Sequence, residues 1–500
     1  MERLTQIPRR ARPVADATGG DRSARSARRT RGLAAAALAA VLLAAGCDSA
    51  QHPAAGSGGG ERSAEAGARR TEGRSPSGVR AERPPAGKPS RHPRPEDLNG
   101  DGYDDFAAVI TGGSLVVVYG SAKGLDPRRR TVAAGPPPSG TAPDKTRLLR
   151  ADLDHDGYTD LVRAPQTGGP TVLWGGPRGV TDPGPLTGAP TSPAATGDFD
   201  GDGHADLFLP GGANGPEGTV WFGPVRRGGA PARVQKLRNG RPTDSIPVRS
   251  LAGDFDGDRA TDLALGFDWT DPENEGDGEV GVIGLQYLRG GPGGLRLVER
   301  REGPDLGLEG QAGDVDGDGI DDLYSAGFFA YRKQLSAGYT LSTPTGPETG
   351  KRGGMTTVSP PGLRDAPQYG GMGGTALGDV TGDGRADLVT SATGANDSNG
   401  VVWLVPDLRA STADAVRAVT LETAGVPGSD TPAKGRGPTR NRITVVGPLL
   451  DTDGDRHLDV VVGAPGFLDA KKHDLDAFWV LRGTDRGMTY QRHFTATDIL

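Results

Sequence analysis

Asp198-Phe-Asp-Gly-Asp-Gly-His-Ala-Asp206-Leu-Phe-Leu209 is the stretch that decides how the chain folds. Asp198, Asp200, Asp202 and Asp206 fall within nine positions, Gly201 and Gly203 separate them, and an apolar run follows. Four carboxylates this close repel one another unless a cation sits among them. Glycine lets the backbone turn back through positive φ, so alternate side chains can point at one centre. Oxygen ligands on a short flexible loop suit Ca²⁺. A single copy would be read equally well as an acidic surface turn.

There are seven copies. They read DLNGDGYDD from Asp97, DLDHDGYTD from Asp152, DFDGDGHAD from Asp198, DFDGDRATD from Asp254, DVDGDGIDD from Asp314, DVTGDGRAD from Asp379 and DTDGDRHLD from Asp451. Their starts lie 46 to 72 residues apart. A repeat at such a period marks a fold built of equivalent units. Chance acidic turns would not keep Asp at positions 1, 5 and 9 throughout, so calcium becomes the working assumption. An EF-hand would place Glu at position 12 on a following helix. Here position 12 holds Ala108, Arg163, Leu209, Leu265, Ser325, Thr390 and Val462. The loops run instead into short apolar segments such as Val460-Val-Val-Gly-Ala-Pro465, which read as buried strands. Each ion would then staple a strand–loop–strand turn.

The pattern D-x-D-G-D-G-x-x-D-L followed by V-G-A-P resembles the FG-GAP or VCBS repeat. Copy seven carries it most fully, with Val462-Gly463-Ala464-Pro465. Copy six adds Tyr369-Gly370-Gly371 before its loop and Ser391 to Ala395 after it. The resemblance spans residues 96–500 and implies an all-β fold, a seven-bladed β-propeller of the kind found at the head of integrin α chains and in bacterial surface proteins. It also implies the ligands: side chains at positions 1, 3, 5 and 9, and the carbonyl at position 7. In order these are Asp97, Asn99, Asp101, Tyr103 and Asp105; Asp152, Asp154, Asp156, Tyr158 and Asp160; Asp198, Asp200, Asp202, His204 and Asp206; Asp254, Asp256, Asp258, Ala260 and Asp262. Then follow Asp314, Asp316, Asp318, Ile320 and Asp322; Asp379, Thr381, Asp383, Arg385 and Asp387; Asp451, Asp453, Asp455, His457 and Asp459. Up to seven structural calcium ions are implied. Loop six departs from the pattern with neutral Thr381. Loops four and seven depart with Arg259 and Arg456 in place of the position 6 glycine, where a side chain resists positive φ and brings charge near the cation. His155 replaces the position 4 glycine of loop two, a substitution His tolerates comparatively well. For His155 and His204 a place in the loop backbone outweighs a role in function.

Before the repeats, residues 1–31 hold nine Arg, and a 13-residue apolar run, Leu33 to Ala45, ends at Gly46-Cys47. That run is too short to cross a bilayer and fits a signal-peptide core. Leu43-Ala44-Ala45-Gly46-Cys47 resembles a lipobox, making residues 1–46 a lipoprotein signal peptide and Cys47 the lipidated N-terminus. Cys47 is the single cysteine, so no intrachain disulfide is possible. Residues 47–95 are Gly-, Ser-, Ala-, Pro- and Arg-rich and read as a disordered tether. As a coil the tether averages roughly 40 Å, and stretched it reaches about 150 Å. The net charge is −7; removing the basic residues 1–47 and 48–95 leaves −17 on residues 96–500. An acidic domain repels phosphate backbones, so no nucleic-acid partner is assigned.

With 82 Gly and 41 Pro, short strands and tight turns are expected rather than helices. Each blade needs four strands. One precedes each loop (Thr146 to Ala151 at loop two), and one follows it (Asp262 to Gly266). The third is predicted at Ser114 to Tyr119, Thr171 to Trp174, Thr219 to Phe222, Val280 to Leu288, Tyr339 to Ser342, Val401 to Val405 and Ala477 to Leu481. No strand is visible before loop one, and Tyr490 to Leu500 is the candidate to close the ring. No H-E-x-x-H, G-x-S-x-G, P-loop or strand-borne G-x-G-x-x-G occurs. Trp174, Trp221, Trp403 and Trp479 are read as core between blades in preference to sugar-stacking platforms. The expected protein is a lipid-anchored, extracytoplasmic, monomeric binding or adhesion platform for an unknown protein or glycan. It would sit on the outer face of a bacterial cell membrane, touching it only through the anchor; simple secretion is the alternative to anchoring. A propeller-based polysaccharide lyase or phospholipase-like hydrolase is the alternative function.

Overall fold

The computed structural model describes residues 82–500, apart from 136–145, 166–167, 212–216, 239–244, 270–281, 303–310, 330–333, 344–345, 359–371, 393–399, 407–414, 429–442 and 469–473. Cys47 and the signal and tether residues before 82 therefore lie outside the described residues, as does Tyr369-Gly370-Gly371.

The described residues form seven antiparallel sheets, each a meander whose strands pair in sequence order. Sheets two to seven have four strands; sheet one has three, Phe106–Val109, Leu115–Val118 and Arg130–Ala133. Every loop enters its own sheet. In sheets two to seven the first strand ends just before the loop: Arg147–Ala151, Ala195–Gly197, Ser245–Gly253, Gln311–Gly313, Met372–Gly378 and Thr444–Val445. The second strand begins at or beside position 9, as in Asp160–Ala164, Asp206–Pro210 and Asp262–Trp269. Those strands are apolar on both faces because each sheet is covered on both sides. The predicted third strands all fall on observed strands, with ends shifted by a few residues: Gly218–Phe222, Val282–Arg289, Val401–Val405 and Asp474–Arg482 among them.

The apolar core is a series of layers between successive sheets. Tyr119 and Val117 of sheet one meet Leu161 and Leu173 of sheet two. Val162 and Val172 of sheet two meet Leu207 and Trp221 of sheet three. Phe208 and Phe222 meet Leu263 and Phe267 of sheet four. Val402 and Leu404 of sheet six meet Val460 and Trp479 of sheet seven. The series closes on itself: Phe106 and Val116 of sheet one pack against Phe478 and Phe494 of sheet seven, with the Phe106 and Phe478 rings 5.2 Å apart, edge to face. Trp221, Trp403 and Trp479 are buried in these layers, which leaves them no face for a sugar.

Two expectations about the seam are corrected. Tyr490 to Leu500 does not complete sheet one. Thr489–Thr495 pairs with Asp474–Arg482 as the outer strand of sheet seven, and the chain ends in one short helix, Ala496–Ile499. Its apolar residues Phe494, Ala496 and Ile499 are buried in the sheet seven–sheet one layer, so it is paired to sheet seven and joined to sheet one by side-chain packing. Sheet one keeps three strands, and side chains tie it to sheet seven. The Thr111 N–H and hydroxyl both donate to Asp476, at 2.5 and 2.7 Å, and Arg94 contacts Asp104 at 2.9 Å and Asp451 at 3.5 Å. Residues assigned to the tether also belong here: Lys88 N–H donates to Gly100 O, Ser90 N–H to Gly157 O, and Gly87 N–H to Pro177 O.

Candidate metal centres

The loops share one hydrogen-bond scheme, and each Asp has a different part in it. The position 1 carboxylate gathers backbone N–H groups of the loop. Asp97 accepts from Gly100, Asp101 and Gly102, and Asp314 accepts from Gly317, Asp318 and Gly319. The position 5 carboxylate accepts the N–H of position 7 in all seven loops, at Tyr103, Tyr158, His204, Ala260, Ile320, Arg385 and His457. Such folding requires left-handed backbone at positions 4 and 6. His155 takes it at position 4 (φ 61°), and Arg259 and Arg456 take it at position 6 (φ 75° and 74°). The arginines therefore do not unmake loops four and seven, contrary to the expectation from backbone preference alone.

Position 9 is the buried end of the scheme. Asp105, Asp160, Asp206, Asp262, Asp322, Asp387 and Asp459 are almost wholly inaccessible. One oxygen accepts the N–H of position 2 in every loop, at 2.8 to 3.3 Å. In loops one to five and seven the other accepts an N–H at or just beyond the end of the third strand: Gly120, Gly175, Gly223, Gly290, Ser342 or Gly483. Burial pushes Asp160 up to about 8 and Asp206, Asp262, Asp322 and Asp459 up to about 7; the backbone donors offset part of this, and neighbouring carboxylates add to it.

Position 3 closes the centre. In loops two to five, carboxylate oxygens of positions 1, 3 and 9 lie within 4.8 Å of one another: Asp152, Asp154 and Asp160; Asp198, Asp200 and Asp206; Asp254, Asp256 and Asp262; Asp314, Asp316 and Asp322. In loop seven the trio is Asp451, Asp453 and Asp455. Asp154, Asp200 and Asp453 each keep one buried oxygen that accepts no hydrogen bond among the described residues. A buried carboxylate oxygen without a donor is costly unless a cation faces it. Carboxylate oxygens converging in this way fit a hard metal ion.

Loops one and six bring together no such trio among the described residues. Asn99 at position 3 donates through Nδ2 to Asp101 Oδ2 at 3.1 Å and accepts from Asp101 N–H. The Thr381 hydroxyl turns to Asp387 Oδ2 at 2.9 Å. The neutral side chain in each case spends its polar atoms inside the loop.

The seven loops form one closed rim. Position 4 of each loop faces the position 7 side chain of the next. A Cβ built on Gly100, Gly257, Gly382 or Gly454 would lie 3.0, 3.2, 2.6 or 3.0 Å from Tyr158, Ile320, His457 or Tyr103 respectively. The Gly454–Tyr103 contact joins loop seven to loop one. At the one position 4 without glycine, the His155 ring packs on His204, centroids 4.3 Å apart. Backbone bonds run alongside: the N–H of Thr261, Asp321, Leu458 and Asp104 donates to the position 1 carbonyl of the preceding loop, Asp198, Asp254, Asp379 and Asp451. Sequence reading found the loops but missed this lateral lock. Its only signal was that position 4 is glycine in six loops while the seventh pairs His with His.

Family models match two segments: an FG-GAP-like repeat at residues 152–209 and an FG-GAP repeat at residues 373–405. No curated protein matches the sequence. Among solved structures, the crystal structure of BBS1N in complex with ARL6DN, soaked with lead, is 15% identical with a TM-score of 0.28, covering 64% of this chain and 92% of that one. The V. cholerae biofilm matrix protein Bap1 is 12% identical with a TM-score of 0.19, covering 80% and 71%. At such TM-scores neither likeness bears on what this chain does. The FG-GAP-like match covers the whole of loop two and loop three with the strands between them, and the same loop recurs in every sheet. Residues 152–209 and 373–405 are thus FG-GAP repeats, and the seven described sheets, each carrying the same loop, fold as a β-propeller.

Proposed function

We propose that the protein is a seven-bladed extracytoplasmic scaffold, held rigid by calcium in its rim loops, that presents a face for binding a protein or glycan. Two observations carry the metal part of this proposal: Asp154, Asp200 and Asp453 each bring an oxygen together with the carboxylates of positions 1 and 9 or 5, and each keeps a buried oxygen without a donor among the described residues. All-oxygen sites of three or more carboxylate or carbonyl donors on a flexible loop favour Ca²⁺ over the smaller Mg²⁺, which demands stricter octahedral geometry. The ion supplies charge compensation; the chain's own residues supply the loop, the lateral lock and the buried position 9 staple.

Calorimetric titration of calcium into the chelator-treated full chain tests this. Binding to several sites, with magnesium a poor substitute, supports it; no heat and no binding contradict it. Binding as the role rests on the FG-GAP repeats, which suggest an extracellular scaffold of binding or adhesion type. A glycan array probed in calcium is the direct search for a ligand.

The anchor proposal rests on the apolar run ending at Cys47. Cys47→Ala should move the protein from the detergent phase to the aqueous phase, and unchanged partitioning would overturn it.

A further inference from the structure

Loops four and seven differ from the other five in two ways that coincide. Both carry arginine at position 6, Arg259 and Arg456. Both also face an arginine at the end of the third strand of their own sheet. Arg289 ends Val282–Arg289, and Arg482 ends Asp474–Arg482. Strand register sets these two opposite position 9. At the same register the other sheets hold Tyr119, Trp174, Phe222, Leu341 and Pro406, none of them cationic.

The two arginines make the same contacts. Arg289 Nε lies 2.5 Å from Asp256 Oδ2 and Nη2 lies 2.9 Å from Asp258 Oδ2. Arg482 Nε lies 2.9 Å from Asp453 Oδ2 and Nη2 lies 2.7 Å from Asp455 Oδ2. Each guanidinium therefore spans positions 3 and 5, and position 3 belongs to the oxygen trio of its loop, Asp256 in loop four and Asp453 in loop seven. A planar fork is suited to bridging two carboxylates in this way. The backbone beside each arginine is fixed, since Gly290 and Gly483 donate to the position 9 carboxylates. Arg227 bridges positions 3 and 5 of loop two in the same way, Nε to Asp154 and Nη2 to Asp156, and Arg233 reaches Asp200 of loop three. Both come from sheet three's outer hairpin rather than from a third strand opposite position 9, and these loops hold Gly157 and Gly203, not arginine, at position 6.

We propose that Arg289 and Arg482 are built-in counter-ions: they hold loops four and seven together without calcium, and calcium binds these two loops only in competition with them. The proposal rests on the calcium reading of the loops. Without an ion, positions 3 and 5 repel, and the guanidinium removes that repulsion. With an ion among the inner oxygens, the same positive charge a few ångströms away opposes it. By linkage, a group that stabilises the calcium-free state more than the bound state weakens calcium binding.

The test compares the wild-type chain with Arg289→Gln/Arg482→Gln, melted in chelator and in saturating calcium, with a calcium titration of each. The double variant should lose several degrees of melting temperature in chelator and much less in calcium. It should also gain calcium affinity several-fold at two sites. Arg289→Lys/Arg482→Lys, which keeps the charge, should recover most of the loss in chelator. Equal loss in both conditions would make the arginines ordinary structural contacts and overturn the proposal, as would weaker calcium binding or no change at all. If the wild type itself ignores calcium, the calcium reading fails, while the loss in chelator still reports what the arginines do.

Discussion

Asp206 and Asp200 stand in the same loop and are expected to fail differently. Asp206 is fully buried and accepts the N–H groups of Phe199 and Gly223. Alanine there strands two buried donors, at about 1–3 kcal/mol each, whether or not an ion is bound. Asp200 contributes a buried oxygen that accepts nothing, and its other oxygen meets Arg233 at 2.6 Å. Asp200→Ala should therefore cost stability in calcium and little in chelator, whereas Asp206→Ala should lower the melting temperature by a similar amount in both. Chemical denaturation of the two variants under both conditions checks this. Position 9 also sets a pH dependence. Its carboxyls are raised to about 7 or 8 by burial, so the folded chain holds protons that the unfolded chain has released. That contribution is complete below the ordinary Asp range near 4 and is lost as pH rises through about 7. In chelator the melting temperature should fall between pH 5 and pH 8; bound calcium, which favours the ionised form, should flatten the slope. A chelated protein that gains stability over that range would contradict the assignment. From sequence, position 9 looked like one ligand among four. Its constancy, even where positions 3 and 6 change, was the sign of a second duty.

At the scale of a strand or loop, most of the architecture was legible. Alternating and continuous apolar runs marked the second and third strands because every sheet is covered on both faces, as the all-buried Asp160–Ala164 and Val401–Val405 show. Glycine spacing marked the turns because left-handed backbone is nearly free only there. What the residues did not announce was interaction between loops, which depends on neighbours about 46 to 72 positions away. Gly382 and Gly384 separate the two reasons for glycine. Both have positive φ, 73° and 85°, which costs a larger residue about 1–2 kcal/mol. A Cβ on Gly384 would meet nothing within 4 Å, whereas one on Gly382 would lie 2.6 Å from the His457 ring. Gly382→Ala should thus destabilise clearly more than Gly384→Ala, and Gly382→Ala/His457→Ala should recover part of the difference. Equal losses, measured by denaturant midpoint, would mean the loops do not lock laterally.

Across the whole propeller, the closed order of sheets makes the rim a single electrostatic object. The repeat announced it, but the seam was hidden. Sheet one shows three strands among the described residues, and the contacts of Arg94, Thr111 and Asp476 that join it to sheet seven come from residues of no distinctive pattern. Residues 96–500 carry −17, much of it in the rim loops, and self-repulsion of that size favours unfolding. An ion bound only by the folded state adds about 2.7 kcal/mol per site at a hundredfold excess over its Kd. Three such sites would rival the roughly 5–15 kcal/mol that stabilises an ordinary domain. The most direct measurement is the melting temperature of the full chain in chelator and in calcium. The calcium-held rim predicts a large drop on chelation, reversed by calcium and only weakly by magnesium; identical melting in both would contradict it.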